Sequence, residues 1–115
     1  MLLNLSNHPS SNWPAEQTTA ATKRYGSIED LPFPNVPPEA TSDQVRQLAE
    51  QFYNKIRKMD PQAIHIMGEM TFTFALVNML MAVGYPCLAS TTNRIVEERD
   101  GKKIVQFEFV QFRSY

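Results

Sequence analysis

Residues 63–90 read AIHIMGEMTFTFALVNMLMAVGYPCLAS, and this stretch decides the fold. Ala63 to Met67 is a short apolar run, Gly68-Glu69 is a tight connection, and Thr71 to Val83 is long enough and apolar enough for a helix that Gly84 closes. Tyr85 to Ser90 then reads as another strand. A strand, a crossover helix and a second strand within so few residues predict a parallel pair in one sheet.

The same alternation extends toward the N-terminus. Leu2, Leu3 and Leu5 make a first strand that stops at Ser6-Asn7-His8-Pro9-Ser10. Ser11 or Asn12 is expected to cap a helix with Pro14 in its first turn, running to about Tyr25 and closed by Gly26. Ser27 to Leu31 offers a weak second strand, after which Pro32, Pro34, Pro37 and Pro38 exclude regular structure. Thr41 and Gln44 have capping-box spacing, and Val45, Leu48, Phe52, Ile56 and Met59 follow at helical intervals. The charges on the other side of that helix read as a solvated face.

C-terminal to residue 90 the pattern changes. Thr91-Thr92-Asn93 is expected to be a polar turn, and the segments 94–99 and 102–112 flank Asp100-Gly101, a pair suited to a type I′ hairpin. Pairing Arg99 with Lys102 sets Glu98 against Lys103 and Val96 against Val105, and puts Val105, Phe107 and Phe109 on one face. The expected architecture is α/β: a single Rossmann-like domain over residues 1–115, with a mainly parallel sheet, helices on both faces and a C-terminal antiparallel β-hairpin.

Composition narrows the function classes. The 115 residues suit one core, and 43% hydrophobic with 20% charged residues is a globular balance. A formal charge of −1 provides no bulk positive field for duplex DNA. No apolar run reaches the roughly 20 residues of a membrane span, no signal peptide is expected from the N-terminal residues, and the lone Cys87 fits a reducing cytoplasm. Two histidines and one cysteine provide no metal-ligand spacing, and neither a dinucleotide nor a P-loop fingerprint is present, so no cofactor or metal is expected.

In a sheet of this kind ligands collect beyond the carboxyl ends of the strands, which selects three loops. Ser6, Asn7 and His8 combine hydroxyl, amide and imidazole before a helix, with His8 either a general acid-base or an exposed turn residue. Gly68 would admit a ligand to the backbone, with Glu69 and Thr71 supplying polar contacts or merely capping the helix. Thr91, Thr92 and Arg94 could hold a phosphate, or belong to a hydrogen-bonded turn. His65, between Ile64 and Ile66, reads as a packed core histidine, and Phe107, Phe109 and Phe112 read as core ahead of a base-stacking platform.

Taken together, Leu3-Asn4-Leu5-Ser6-Asn7-His8-Pro9, Met67-Gly68-Glu69-Met70-Thr71 and Ser90-Thr91-Thr92-Asn93-Arg94 with its hairpin resemble the small CRISPR-associated proteins of Rossmann-like fold, related to ring nucleases and cyclic-oligoadenylate sensor (CARF-type) domains. The resemblance implies a homodimer whose paired loops bind a cyclic oligoadenylate, with metal-independent cleavage by the RNA's own ribose 2′-hydroxyl as a further activity. It assigns His8 and Glu69 to catalysis, and Ser6, Asn7, Gly68, Thr71, Thr91, Thr92 and Arg94 to the ligand. Whether the chain is an enzyme stays open. The alternatives are a non-enzymatic protein-interaction module and a hydrolase of a free nucleotide. Dimerisation has an argument of its own: the third helix leaves only Thr71, Thr73 and Asn78 for water, unless the hairpin folds over it.

Overall fold

The computed structural model describes residues 1–115. Five strands and three α-helices follow one another as β1 (Leu2–Ser6), α1 (Ala15–Tyr25), β2 (Ile28–Asp30), α2 (Ser42–Met59), β3 (Ala63–Met67), α3 (Met70–Ala82), β4 (Cys87–Arg99) and β5 (Lys102–Ser114). They form one sheet of order β2-β1-β3-β4-β5, parallel except for the antiparallel β4-β5 pair. The chain is thus α/β, with a mainly parallel sheet and a C-terminal hairpin. No helix is long and apolar enough to cross a membrane.

β1 is flanked by β2 on one side and β3 on the other, so the chain reverses direction across the sheet between β1 and β3. Side chains alternate along each strand, which divides the core in two. Leu3, Leu5, Ile64, Ile66 and Cys87 face α2 and α3, where they meet Val45, Phe52, Ile56, Phe72, Leu76 and Leu80. The opposite face packs Leu2, Ala63 and Leu88 against Trp13 and Ala21 beside α1, with Phe112 of β5 closing over them. Helices therefore cover both faces. The polar members of that second face, Asn4, Ser6 and His65, are buried, Asn4 and His65 about as deeply as its leucines.

Local sequence accounts for most boundaries. Thr41 and Gln44 form the capping box of α2, and Asp60 ends the helix in the left-handed region at φ 49°. The hairpin turns at Asp100-Gly101 with both residues at positive φ, and the register runs Arg99 to Lys102, Glu98 to Lys103 and Val96 to Val105 as read from the sequence.

Three expectations are corrected. Neither Ser11 nor Asn12 caps α1: residues 10–12 form a separate 3₁₀ turn, and Pro14 is the N-cap of a helix that starts at Ala15. No turn exists at Thr91-Thr92-Asn93; β4 continues unbroken to Arg99, because β5 pairs with it along its whole length and absorbs its extra residue in a bulge opposite Thr91/Thr92. Phe107 is not core but 66% exposed.

β4 leaves the rest of the sheet early, since β3 pairs with it only at Cys87 and Leu88. Beyond that point the hairpin projects as a two-stranded arm. The radius of gyration is correspondingly 15.7 Å, against about 13 Å for a compact domain of this length.

Candidate functional site

The carboxyl ends of β1 and β3 meet the start of the arm on the α1 face of the sheet, and a cleft of about 480 Å³ opens there. Ser6, Asn7 and His8 come from the end of β1, Trp13, Pro14 and Gln17 from the entry to α1, and His65, Met67 and Gly68 from β3 and its exit. Ser90, Thr92, Phe107 and Phe109 close the far side from the arm. No Asp, Glu, Lys or Arg lines it.

A row of polar side chains crosses the sheet and reaches the cleft at His65 and Ser90. Asp30 of β2 stands beside Asn4 of β1, and Asn4 beside His65 of β3, as register partners; Ser90 of β4, two residues beyond Leu88, the register partner of His65, completes the row. Asn4 Nδ2 donates to Asp30 Oδ1 at 2.8 Å and to the His8 carbonyl at 2.9 Å. Asn4 Oδ1 lies 2.9 Å from His65 Nδ1 and accepts from Ser6 Oγ at 2.9 Å. His65 Nε2 lies 3.2 Å from Ser90 Oγ. The ring is set edge-on to Trp13 and Phe112, with centroids 5.1 and 5.6 Å away. Burial, with the charge of nearby His8 adding to it, pulls the imidazole of His65 down to about 4, so it is neutral at physiological pH.

The loop after β1 is held by its backbone. The His8 carbonyl accepts from Asn4 and the Trp13 indole, with Ser6 Oγ 3.1 Å away, while the His8 side chain stays exposed at the cleft. Asp30 fixes the same loop by accepting from the Ser10 N–H and hydroxyl. Burial alone would raise the Asp30 carboxyl, but the bonds from Asn4 and Ser10 outweigh it and hold the group below its ordinary value.

The structure brings together five of the nine residues singled out from the sequence: Ser6, Asn7, His8, Gly68 and Thr92. Glu69 is not among them. Its carboxylate accepts from the N–H groups of Thr71 and Phe72 and from the Thr71 hydroxyl, making it the N-cap of α3, and those bonds hold it below the usual carboxylate range. Thr71 faces instead a groove of about 800 Å³ between α2 and α3. Thr91 donates to the Gln111 carbonyl within the hairpin, and Arg94, the register partner of Phe107, does not itself line the cleft.

Besides lining the cleft, Gly68 has a packing role. A Cβ there would come within 2.2 Å of the Phe33 ring, so the missing side chain makes room for the proline-rich segment to close over the β3 exit.

Sequence reasoning left Asn4 and Trp13 out of the site, quoted Ser90 only as the start of its loop, and read His65 as a packed core histidine, which its burial bears out although it also lines the cleft. One signal was available: polar residues at alternate positions of otherwise apolar central strands, Asn4 and Ser6 in β1 and His65 in β3, must share a face. No three His, Cys, Asp or Glu side chains converge in a metal-binding group. Cys87 is buried, which pushes its thiol up to about 11 and leaves it unreactive.

The model of the Uncharacterized protein MJ1673 family matches residues 1–113, and the chain belongs to that family. No curated protein matches it.

Proposed function

We propose that this member of the MJ1673 family binds a cyclic oligoadenylate as a homodimer and cleaves it without a metal, in the manner of the CRISPR-associated ring nucleases that its sequence resembles. The observation that carries the reading is the cleft at the β1/β3 reversal, where hydrogen-bonding side chains face aromatic rings. Exposed Phe107 and its neighbour Phe109 offer base-stacking surfaces, and Ser6, Asn7, His8 and Thr92 offer partners for ribose and base edges. Cleavage by the 2′-hydroxyl needs a proton acceptor and donor near the ribose, which His8 and His65 supply in kind. A cytoplasmic setting goes with such a signal and with a lone, buried Cys87.

One surface supports the homodimer. Met70 and Phe74 of α3 are 83% and 72% exposed, and the hairpin does not cover them, because β5 packs beside α1 on the opposite face. Both lie on the turns after Gly68, at the same end of the sheet as the cleft. A two-fold axis there would bury the exposed pair against its own copy.

Incubation of the pure protein with cyclic tri-, tetra- and hexa-adenylate tests the reading. Conversion to linear products with cyclic-phosphate ends, insensitive to chelators, is expected. Absence of both binding and turnover refutes it, and would leave the exposed faces of α3 and the arm to a protein-interaction module. Turnover of free mononucleotides instead would point to the hydrolase alternative.

A further inference from the structure

We infer that the row Asp30–Asn4–His65–Ser90 is a hydrogen-bond relay of fixed direction, which turns Ser90 Oγ into a proton acceptor aimed into the cleft and makes Ser90 the catalytic residue that receives the ribose 2′-hydroxyl. The inference rests on the cyclic-oligoadenylate reading for its ligand, but the direction of the relay follows from the protein alone.

The direction is fixed one residue at a time. Asp30 is ionised and accepts only, and the His8 carbonyl also accepts only; both lie on Nδ2 of Asn4. The amide must therefore point its NH₂ at them and its Oδ1 at His65. An amide oxygen cannot donate, so the proton of the neutral imidazole resides on Nδ1. That leaves Nε2 with a lone pair facing Ser90 Oγ. Met67 Sδ lies at the same 3.2 Å from that hydroxyl, but a thioether is a far weaker acceptor than an imidazole nitrogen, so the Ser90 proton goes to Nε2. With its one proton committed, Ser90 Oγ can only accept from a ligand. A ribonucleotide hydroxyl satisfies it and a 2′-deoxyribose does not.

In the cleavage step the 2′-hydroxyl passes its proton to Ser90 Oγ as Ser90 passes its own to His65 Nε2. The 2′-oxygen forms a bond to the neighbouring phosphorus and the bond from phosphorus to the 5′-oxygen breaks. The 5′-oxygen leaves with a proton from His8, which lines the same cleft, and the proton on His65 returns through Ser90 to solvent and His8. No oxidant, metal or water is consumed in this transesterification. A phosphodiester anion in the cleft favours the charged imidazole, opposing both burial and the charge of His8, so the acceptor strengthens when the ligand is bound. Asn4 is the positioning residue, acting only through His65.

Nitrogen NMR of His65 in the ligand-free protein at neutral pH tests the direction: the Nδ1–H tautomer is expected, and the Nε2–H tautomer overturns the relay whatever the ligand proves to be. Cleavage assays with cyclic tetra-adenylate then test the chemistry. Ser90→Ala should lower the rate by about 10²- to 10⁴-fold while binding changes only a few-fold, and Ser90→Thr should recover most of it. In the wild type the single-turnover rate should fall on the acid side as His65 takes up its proton, and the titration of His65 should move to higher pH on adding the ring. A Ser90→Ala protein that cleaves at the wild-type rate, or a wild-type protein that binds the ring and never cleaves it, overturns the relay and leaves the binding reading in place. A protein that binds no ring refutes the reading itself, and the tautomer measurement still decides the direction of the row.

Discussion

The neutral, buried His65 should make the protein lose stability in mild acid, well above the range in which carboxylates titrate. Its imidazole lies at about 4 in the folded chain against an ordinary value of 6.5. Above 6.5 both folded and unfolded chains carry it neutral, and the contribution to stability is complete. As the pH falls below 6.5 the unfolded chain takes up the proton first, and the loss continues until the folded chain protonates near 4. At about 1.4 kcal/mol for each pH interval of one, the full loss comes to about 3 kcal/mol, of which roughly 2 to 3 kcal/mol falls between pH 7 and pH 4.5. With a urea dependence of about 1 to 1.5 kcal/mol per molar for a small domain, the unfolding midpoint should drop by about 2 M over that range. The control is His65→Gln, which cannot titrate. It is less stable at pH 7, but its midpoint should change little on acidification, so the two curves converge. Parallel curves for wild type and His65→Gln would refute the argument, since all other groups are common to both. Loss through Asp30, whose carboxyl is held below its ordinary value, comes only at lower pH, as falling pH protonates it in the unfolded chain first.

Three further outcomes follow from single side chains. Gly68→Ala drives a methyl into the Phe33 ring, which stands edge-on to Phe72 at 5.2 Å; overpacking of about 1 to 3 kcal/mol should lower the melting temperature by roughly 4 to 12 °C in calorimetry. Glu69→Ala removes the cap of α3 and should cost about 1 kcal/mol in urea unfolding while leaving binding of cyclic tetra-adenylate unchanged, in contrast to His8→Ala, which should weaken binding or turnover. Phe74→Asp should convert a doubled mass in light scattering to that of one chain with the circular dichroism spectrum retained. Leu80 is unsuitable for that purpose, being fully buried against the sheet.

The parallel sheet was legible because its crossovers are encoded locally: Thr41 and Glu69 cap α2 and α3, Pro14 opens α1, and apolar runs such as Leu2 to Leu5 and Ala63 to Met67 suffice for central strands. The hairpin register was legible because Asp100-Gly101 admits few turns. What failed at Thr91-Thr92-Asn93 was the reading of polarity as a turn. Threonine suits a strand as well as a loop, and only the pairing of β5 along its whole length shows that β4 must run on to meet it. Phe107 was misread because alternation identifies a shared face and not what lies opposite that face. Glu69 and Thr71 were read as level between ligand and cap, and the tie was broken by geometry invisible in sequence, the carboxylate folding back on two N–H groups.

The row across the sheet was the least legible feature because its four members, Asp30, Asn4, His65 and Ser90, come from four strands and only the strand order makes them neighbours. Stability alone does not call for it. Apolar side chains at Asn4 and His65 would extend the contacts of Leu2, Ala63 and Leu88 across the same face, and replacing a satisfied polar pair by well-packed hydrophobes is often neutral or better. The polar row instead demands that every proton be matched along it, since one unsatisfied buried group costs about 1 to 3 kcal/mol. Such a row is directional. It begins at a carboxylate that only accepts and ends at a hydroxyl on the cleft wall, and a direction imposed on the last hydroxyl matters only to a molecule that meets it. The residues that weaken the core are thus the ones that give the cleft its chemistry, and the sheet order β2-β1-β3-β4 is what joins them.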